Sequence, residues 1–381
     1  MYYCQKNQSS SDDETDRFTV MVNDKLGFIN QKGKLVIKPQ FKNLYSYHDG
    51  LAGASTDDKW GFINVSGHYV IKPQYEDVQE FIENLAAVKL GDKWGFINKS
   101  GKLVIKPTYD FVMSFKDSIS CVRVNDKWGY IDMTGRYLVE PQYDDAWDFD
   151  GDLARIKMDN KWGYINRQGE LVIQPQFDVL QTFNNDIAGV CVDDKWGFID
   201  KEGNYIVEPI YNDIWAFEDS LARVMKDGKW GFINKEGNYV IEPIFDDVWK
   251  FEEDLARAKV DDKWGYIDKQ GSFVIQPQFD DEWSFTENLA SVKVGDKWGY
   301  IDKQGQFVIK PQWDDALDFD EGIARVRLNG KWGYINQKGN YISEPQYDDA
   351  GSFINGLARV EVDDMTGYIN KEGKIIWEPT K

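Results

Sequence analysis

The stretch KWGYIDKQGSFVIQPQFDD, residues 263–281, recurs through the chain at a fixed distance and decides its fold. Its tryptophan, Trp264, is one of nine that follow each other every 34 residues from Trp60 to Trp332. Counted from that tryptophan as position zero, glycine stands at +1 and +7 and proline at +13 in eleven copies. A constant period without insertions indicates one supersecondary unit that is copied and packed against its neighbours.

Each unit contains three strand-like runs. Strand A is KWGYID at 263–268, strand B is the apolar run FVI at 273–275, and strand C is LASVKV at 289–294. Pairs of Asp, Asn and Gly between C and A predict two-residue hairpin turns, because these residues tolerate positive φ. The glycine at +7 is expected to take a left-handed backbone between A and B. The proline at +13 is expected to end strand B, since it cannot donate to a sheet ladder.

The repeats predict an all-β, solenoid-like array of eleven 34-residue, three-stranded antiparallel units over residues 18–381. Strand B is apolar at successive positions, so both of its faces need cover, which stacked repeats would supply. An open superhelix is favoured over a closed toroid. Propeller blades usually have 40 or more residues, which disfavours a propeller. The segment between B and the next C, such as 278–288, is either a fourth short strand or a helical turn.

These motifs resemble a known family. The signature KWG[FY]I[ND]xxG, followed by VIxPQ[YF]DD and FxxxLARV, is similar to the bacterial WG-repeat family across residues 18–381. The resemblance implies a mostly β array in a bacterial protein and no established catalytic role.

Composition and charge exclude several classes of function. The chain has 15 Trp, 20 Tyr and 22 Phe, which disordered proteins lack, and its net charge is −20. A nucleic-acid partner is not expected without a basic surface. No apolar run reaches the roughly 20 residues of a membrane span. The polar residues 1–17 predict a disordered tail. Cys4, near the start of this tail, suggests a lipid-anchored extracytoplasmic protein, with a flexible terminus on a cytoplasmic protein as the alternative.

The polar residues show no pattern typical of a catalytic or metal site. His48 and His68 are the only two histidines, and no partners are patterned near them for a metal site or a triad. The Asp-Asp pairs belong to the repeat, and no cluster of unusual polar residues breaks the repeat symmetry. The sequence therefore predicts a protein that is not an enzyme, with no catalytic residues, no metal and no cofactor.

Position +19 differs from the rest of the unit because it accepts residues from Gly351 to Trp. A position that tolerates such a range is not tightly packed, so its tryptophans are candidates for an exposed ligand-binding stripe, with partial burial beneath the linker as the alternative. The surrounding acidic field favours neutral or cationic ligands. The four candidates are Trp147, Trp215, Trp249 and Trp283.

Two further positions vary together. Arginine at +27 occurs only in units that carry aspartate at +17, and covarying pairs suggest contact. We therefore expect salt bridges between the linker and strand C, in the pairs Asp145–Arg155, Asp213–Arg223 and Asp247–Arg257. The overall hypothesis is a non-catalytic scaffold that binds a protein, peptide or glycan. A structural spacer without a ligand is the alternative, and an enzyme is the third.

Overall fold

The computed structural model describes residues 17–380, and within them the all-β prediction is confirmed. The 43 strands form eleven antiparallel sheets, ten with four strands and one with three. The predicted tail and Cys4 lie outside the described residues, except for Arg17, which donates to the Val65 carbonyl oxygen at 2.7 Å. No helix in this described range has the length and apolarity to span a membrane.

Each four-stranded sheet has the order D–C–A–B, where D is an additional strand that precedes C. The A strands are Lys25–Ile29, Trp60–Asn64, Lys93–Asn98, Lys127–Asp132, Lys161–Asn166, Lys195–Ile199, Lys229–Asn234, Lys263–Ile267, Lys297–Ile301, Lys331–Asn336 and Met365–Asn370. The B strands are Leu35–Phe41, Tyr69–Tyr75, Leu103–Tyr109, Tyr137–Tyr143, Leu171–Phe177, Tyr205–Tyr211, Tyr239–Phe245, Phe273–Phe279, Phe307–Trp313, Tyr341–Tyr347 and Ile375–Thr380.

The remaining strands belong to types C and D. The C strands are Phe18–Val22, Leu51–Ser55, Leu85–Leu90, Ile119–Val124, Leu153–Met158, Ala188–Val192, Leu221–Lys226, Leu255–Val260, Ala290–Val294, Ile323–Leu328 and Leu357–Val362. The D strands are Asn43–Leu44, Asp77–Val78, Phe111–Val112, Asp145–Ala146, Val179–Leu180, Asp213–Ile214, Asp247–Glu252, Asp281–Glu282, Asp315–Ala316 and Asp349–Ile354.

Strand D settles the conformation of the segment between B and C. In residues 278–288, Asp281 and Glu282 pair antiparallel with Lys293 and Val292 of strand C. A second tight turn follows, in which Glu287 and Asn288 have φ of 51° and 66°. The segment is therefore a strand and a turn, and the helical alternative is wrong.

The four-stranded sheet corrects the predicted fold class. A four-stranded antiparallel meander is the blade of a β-propeller, so the fold is an eleven-bladed β-propeller. The predicted solenoid-like array of three-stranded units is therefore wrong. Four strands fit into 34 residues, fewer than the usual blade length, because D is mostly two residues long and the turns on both sides of C are tight.

The described chain divides into two compact units. Unit 1 comprises 17–124, 132–136 and 351–380, and unit 2 comprises 125–131 and 137–350. Within unit 1 the last repeat packs on the first. The Tyr368 hydroxyl donates to the Thr19 carbonyl oxygen at 2.9 Å, and the Thr380 hydroxyl donates to the Met21 carbonyl oxygen at 2.7 Å. Because the first and last repeats are neighbours, the predicted open superhelix is wrong.

Within unit 2 the hydrophobic cores lie between successive blades. In one of them, Ile275 and Phe279 of a B strand pack with Ala290 and Val292 of the next C strand and with Ile301 of the next A strand. All five side chains are buried. Neighbouring repeats therefore cover each other's apolar faces, as the composition of strand B predicts.

The glycine at +1 and the proline at +13 act together. A Cβ atom on Gly265 would lie 2.5 Å from the Ile275 carbonyl oxygen and 2.7 Å from the Pro277 nitrogen. The register shifts here, since Trp264 pairs with Phe279 but Tyr266 pairs with Ile275. Strand B thus bulges against strand A and continues two residues beyond the proline. Proline is tolerated because B is the edge strand, so the prediction that it ends B is wrong.

The predicted turns are confirmed. Asp261 and Asp262, between C and A, have φ of 49° and 62°, as a two-residue hairpin turn requires. Gly271, at +7, has φ of +79°. A Cβ atom there would also lie 2.9 Å from Cγ2 of Ile241 in the preceding repeat, so this turn is part of the contact between blades.

The close approach of strands A and B generates a stability prediction. Gly265→Ala would place a methyl group against the strand B backbone, and the two strands would have to separate. We expect a loss of about 1–3 kcal/mol, the range for overpacked interiors. The midpoint of urea denaturation measures it.

Gly295→Asn is the matched control. Gly295 has φ of +60° and nothing within 4 Å of its Cβ position, and asparagine tolerates this backbone. We expect a change within about 0.5 kcal/mol. Equal effects of the two variants would show that steric contact is not the reason for glycine at +1.

Candidate functional site

The residues at +19 come directly after the short strand D, or lie within it where D is longer, as at Trp249, and they face strand C. The backbone N–H of Trp215 donates to the Arg223 carbonyl oxygen at 2.9 Å, and the N–H of Trp147 donates to that of Arg155 at 3.1 Å. The hydrogen bond places each tryptophan directly across from the +27 residue of its own blade. Local pairing therefore fixes which side chains can touch.

The four predicted tryptophans lie at the surface of unit 2. Trp147 and Trp215 are each 49% exposed, Trp283 is 41% exposed, and Trp249 is 37% exposed. The rings of Trp215 and Trp249 lie 6.3 Å apart between centroids. We refer to Trp147, Trp215, Trp249 and Trp283 as the tryptophan row.

Arginines alternate with the indoles of this row. The Arg223 guanidinium lies 4.5 Å from the Trp215 ring centroid and 5.2 Å from that of Trp249. Arg257 lies 4.2 Å from Trp249 and 5.8 Å from Trp283. Each of these two arginines thus contacts the tryptophan of its own repeat and that of the next. These distances are those of cation–π contacts.

The same arginines bind the backbone of the next repeat. Arg223 Nη1 donates to the Val248 carbonyl oxygen at 2.8 Å, and Arg223 is only 7% exposed. Burial lowers the pKa of its guanidinium to about 10, so the group is still charged at neutral pH. The equivalent bonds run from Arg155 to Leu180, from Arg257 to Glu282 and from Arg325 to Ala350.

The aspartates at +17 have backbone partners. Asp145 Oδ1 accepts the N–H of Ala146 at 2.9 Å, and Asp213 and Asp247 bind the following residue at 2.8 Å. Asp145 also favours the charged form of Arg155, whose pKa is lowered chiefly by burial. The direct ion pairs expected for Asp145–Arg155, Asp213–Arg223 and Asp247–Arg257 stay predictions.

A salt bridge that was not predicted from the sequence recurs in the repeat. Lys229 at −1 contacts Asp246 at +16 at 2.5 Å, and Asp246 Oδ2 accepts the N–H of Asp261 in the C–A turn. The Lys229 hydrogen bond holds the pKa of Asp246 below its usual range. Equivalent pairs recur in other repeats, and the lysine at −1 is nearly constant, so it gives no covariation signal.

A polar cluster breaks the repeat symmetry, contrary to the expectation that none exists. Glu282 stands at +18, where the other repeats have Ala, Val, Leu or Ile. It is 2% exposed, and neither carboxylate oxygen has a hydrogen-bond partner among the described residues. Arg257 Nη1 lies 3.6 Å from Oε1. Burial raises the pKa of Glu282 to about 8, and Arg257 opposes the shift.

Two other polar residues belong to this cluster, Ser291 and Asp318. Ser291 is buried at +27, where four of the neighbouring copies have arginine, and Asp318 is the second acid that burial affects. Burial raises the pKa of Asp318 to about 6. The sequence signal was available, because Glu282 is the single charged residue at +18.

The cluster borders an open groove of about 580 Å³. Its aromatic walls are Trp249, Trp264, Trp283 and Trp298, and we call it the indole groove. A second depression of about 330 Å³ lies beside Trp215 and Arg223. Among the described residues, no group of three or more His, Cys, Asp or Glu could hold a metal ion. The charged residues that line the indole groove are Asp247, Arg257, Asp281, Glu282, Lys293, Asp314 and Asp315.

The buried carboxyl group generates a second stability prediction. In the folded state the Glu282 carboxyl group keeps its proton up to about pH 8, whereas in the unfolded chain it loses the proton near pH 4.5. The free energy of unfolding therefore falls as the pH rises through this window. Glu282→Val restores the arrangement of Arg223 with Val248. We expect stabilisation of roughly 1–4 kcal/mol at pH 8.5 and less at pH 5, from urea midpoints.

Glu236→Gln, at an exposed acid, is the control and should show no such pH dependence. A lower midpoint for Glu282→Val at pH 8.5 would mean that Glu282 contributes to stability.

Comparison with solved structures gives distant similarities. A eukaryotic initiation factor matches at 12% identity and a TM-score of 0.44, over 83% of this chain and 92% of that one. PorZ, a surface component of the type-IX secretion system of Porphyromonas gingivalis, matches at 12% identity and a TM-score of 0.26, over 94% and 67%. Hsv2p of Kluyveromyces lactis matches at 13% and 0.30, over 69% and 97%.

Sequence comparison is more specific. No curated protein matches the chain. The family model described as WG containing repeat matches ten consecutive segments, 27–60, 60–94, 94–128, 128–162, 162–196, 196–230, 230–264, 264–298, 298–332 and 332–365. The matched segments carry the bulged A–B contact and the turns described above, and they span most of the chain. The chain therefore belongs to the WG containing repeat family.

Proposed function

We propose that this protein is a non-catalytic scaffold that binds a polypeptide partner through the tryptophan row. The observation that carries the proposal is the combination of exposure and anchoring. The four indoles are 37–49% exposed, yet Arg223 and Arg257 hold three of them in place. Indoles fixed before binding lose little conformational freedom, and tryptophan is enriched among residues that dominate binding energy.

A polypeptide fits this surface better than a sugar. Sugar rings stack on free aromatic faces, and Trp249 already has two guanidinium groups over its ring, at 4.2 and 5.2 Å. A polypeptide can instead use the indole edges, the grooves beside them and the carboxylates that line the indole groove. Exposed indoles confined to a few repeats also serve no purpose in a plain spacer, which favours binding over the structural alternative.

The experiment replaces the row without disturbing the blades. Trp215→Gln, Trp249→Gln and Trp283→Gln are combined, because glutamine stands at the same position as Gln79 and Gln181. Peptides are first selected from a random 12-residue phage library on the immobilised protein. We expect the triple variant to bind them at least about 30-fold more weakly, as for hot-spot residues.

The matched control combines Val240→Ser, Val274→Ser and Val308→Ser. These valines are 42–49% exposed and occupy one position in three successive repeats. The control should bind the peptides normally, and both triple variants should keep the wild-type circular dichroism spectrum. Unchanged binding to the tryptophan variant would overturn the proposal. Binding on a glycan array, with no peptide selected, would favour the glycan alternative.

A further inference from the structure

The edge strands of the first three blades differ in charge from the rest of the protein. From +4 to +15, which covers the A–B turn and strand B, these three repeats contain seven lysines and no acid. The equivalent segment of every other repeat contains at least one acid, and the whole chain has 65 acids against 45 bases. The three segments are 30–41, 64–75 and 98–109, and we call the surface that they form the basic edge.

The fold exposes the side chains of the basic edge. Strand B is the last strand of each sheet, because it pairs with strand A alone. Ile37 is buried, so Val36 and Lys38, on either side of it, point away from the core. The same alternation exposes the equivalent residues of the next two repeats, Val70, Lys72, Val104 and Lys106.

Most lysines of the basic edge have no acid beside them. In the same blades the lysine at −1 pairs with the acid at +16, as Lys59 does with Glu76 at 2.5 Å. Among the seven lysines of the basic edge, Lys99 lies 3.9 Å from a carboxylate oxygen of Asp49. The other six have no ion pair with a described residue, and they are Lys32, Lys34, Lys38, Lys72, Lys102 and Lys106.

Exposed apolar side chains lie among these lysines. Val36 and Val104 are each 41% exposed, and Val70 is 47% exposed. Leu35 and Leu103, which precede two of the valines, are 39% and 41% exposed. The basic edge therefore offers an external partner both positive charge and apolar surface.

Successive blades hold the three segments side by side within unit 1. A Cβ atom on Gly67, in the A–B turn of the second repeat, would lie 3.0 Å from Cγ2 of Ile37 in the first. Gly101 of the third repeat approaches Ile71 of the second in the same way, at 3.3 Å. Each turn thus packs on the preceding strand B, and the exposed valines form a row that crosses three blades.

Protection of a free sheet edge does not explain this pattern. Charged side chains on an edge strand prevent its pairing with other chains, and lysine is common there. Repeats five to eight, however, have acids or uncharged polar residues at +8 and +12, namely Glu170, Gln174, Asn204, Glu208, Asn238, Glu242, Ser272 and Gln276. Protection therefore does not require a positive charge, and the uniform sign in the first three repeats needs another reason.

We propose that the basic edge docks on the surface of an anionic phospholipid bilayer. The lysines contact lipid phosphates while the valines and leucines enter the interface below them, because long lysine side chains reach back to the headgroups. The acids elsewhere in the chain oppose this contact little, since charges farther away than about 8 Å are largely screened at physiological salt.

A bilayer fits the basic edge better than other anionic partners do. An acidic polypeptide would need carboxylates at the spacing of the lysines across three blades, whereas lipid headgroups move to suit any spacing. A nucleic acid binds through its phosphates and would leave the apolar row without a role. This inference goes beyond the proposed function, because the tryptophan row belongs to unit 2 and the basic edge to unit 1.

Flotation of the full chain with lipid vesicles tests the proposal. The vesicles contain phosphatidylcholine alone, or phosphatidylcholine with about 30 mol% phosphatidylserine, because the anionic lipid supplies the attraction. We expect binding at least about tenfold stronger to the anionic vesicles, and weaker binding as the salt concentration rises. Equal binding to both kinds of vesicle, or binding to neither, would overturn the proposal.

A triple variant removes charge from the basic edge. Lys38→Gln, Lys72→Gln and Lys106→Gln are combined, because Gln174 and Gln276 stand at the same position of the repeat. We expect the variant to bind the anionic vesicles at least about 30-fold more weakly, since each lysine near the surface contributes to the attraction.

The matched control combines Lys195→Gln, Lys226→Gln and Lys338→Gln, at exposed lysines of unit 2. It changes the net charge equally and should bind the vesicles within about twofold of wild type, because the salt screens distant charges. Both variants should keep the wild-type circular dichroism spectrum. Equal weakening by the two variants would show that net charge alone matters and would overturn the basic edge as the docking site.

A second triple variant separates a bilayer from an acidic polymer. Val36→Ser, Val70→Ser and Val104→Ser should weaken vesicle binding at least about fivefold, because less apolar surface enters the interface. The variant Val240→Ser, Val274→Ser and Val308→Ser, at the same repeat position in unit 2, should bind normally. Unchanged vesicle binding by the first variant, with tight binding of wild type to poly-glutamate, would overturn the bilayer in favour of an acidic polypeptide.

Discussion

The backbone of strand A lies against the backbone of strand B at the +1 glycine, closer than any side chain allows. At Gly265 the contact involves the Ile275 carbonyl and the Pro277 nitrogen, and it recurs in every repeat. Because B bulges there, the register shifts and Phe279 comes opposite Trp264. This approach thus sets which aromatic side chain of strand B lies opposite the tryptophan of strand A. The core between successive blades then follows from it, since Phe279 packs with Ala290 and Val292 of the next strand C.

Much of the blade could be predicted from sequence. Strands A, B and C, the turn at Asp261 and Asp262, and the positive φ of Gly271 all follow from local chemistry. Strand D could not be recognised by periodicity, because two residues such as Asp281 and Glu282 have no pattern of alternation. Its best signal was the turn pair at +23 and +24, where Asp, Asn and Gly recur beside Glu and Ser. The predicted three-stranded unit was wrong for this reason.

The candidate site, like the blade, was only partly predictable from the sequence. Tolerance of many residue types at +19 indicated an exposed position, and the indoles of the tryptophan row are surface residues. Covariation of Asp and Arg could not reveal that Arg223 donates to the Val248 carbonyl oxygen of the next repeat. Every residue type supplies a backbone carbonyl, so the residue that accepts this bond does not covary with the arginine. The Lys229–Asp246 pair gave no covariation signal for another reason, since lysine is nearly constant at −1. Glu282 was overlooked because position +18 is apolar in the other repeats, and a description of the average repeat does not include a residue that occurs once.

The contact between the first and last repeats has a consequence for the order of synthesis. Phe18, Val20 and Ile29 share a core with Leu357 and Tyr368, which the ribosome adds more than 300 residues later. At roughly 5–20 residues per second, the early strands wait on the order of 20–70 s for that partner. During this time one apolar face of the first repeat is open to water or to a chaperone. The strands of the first repeat thus stay without their full core until those of the last repeat emerge.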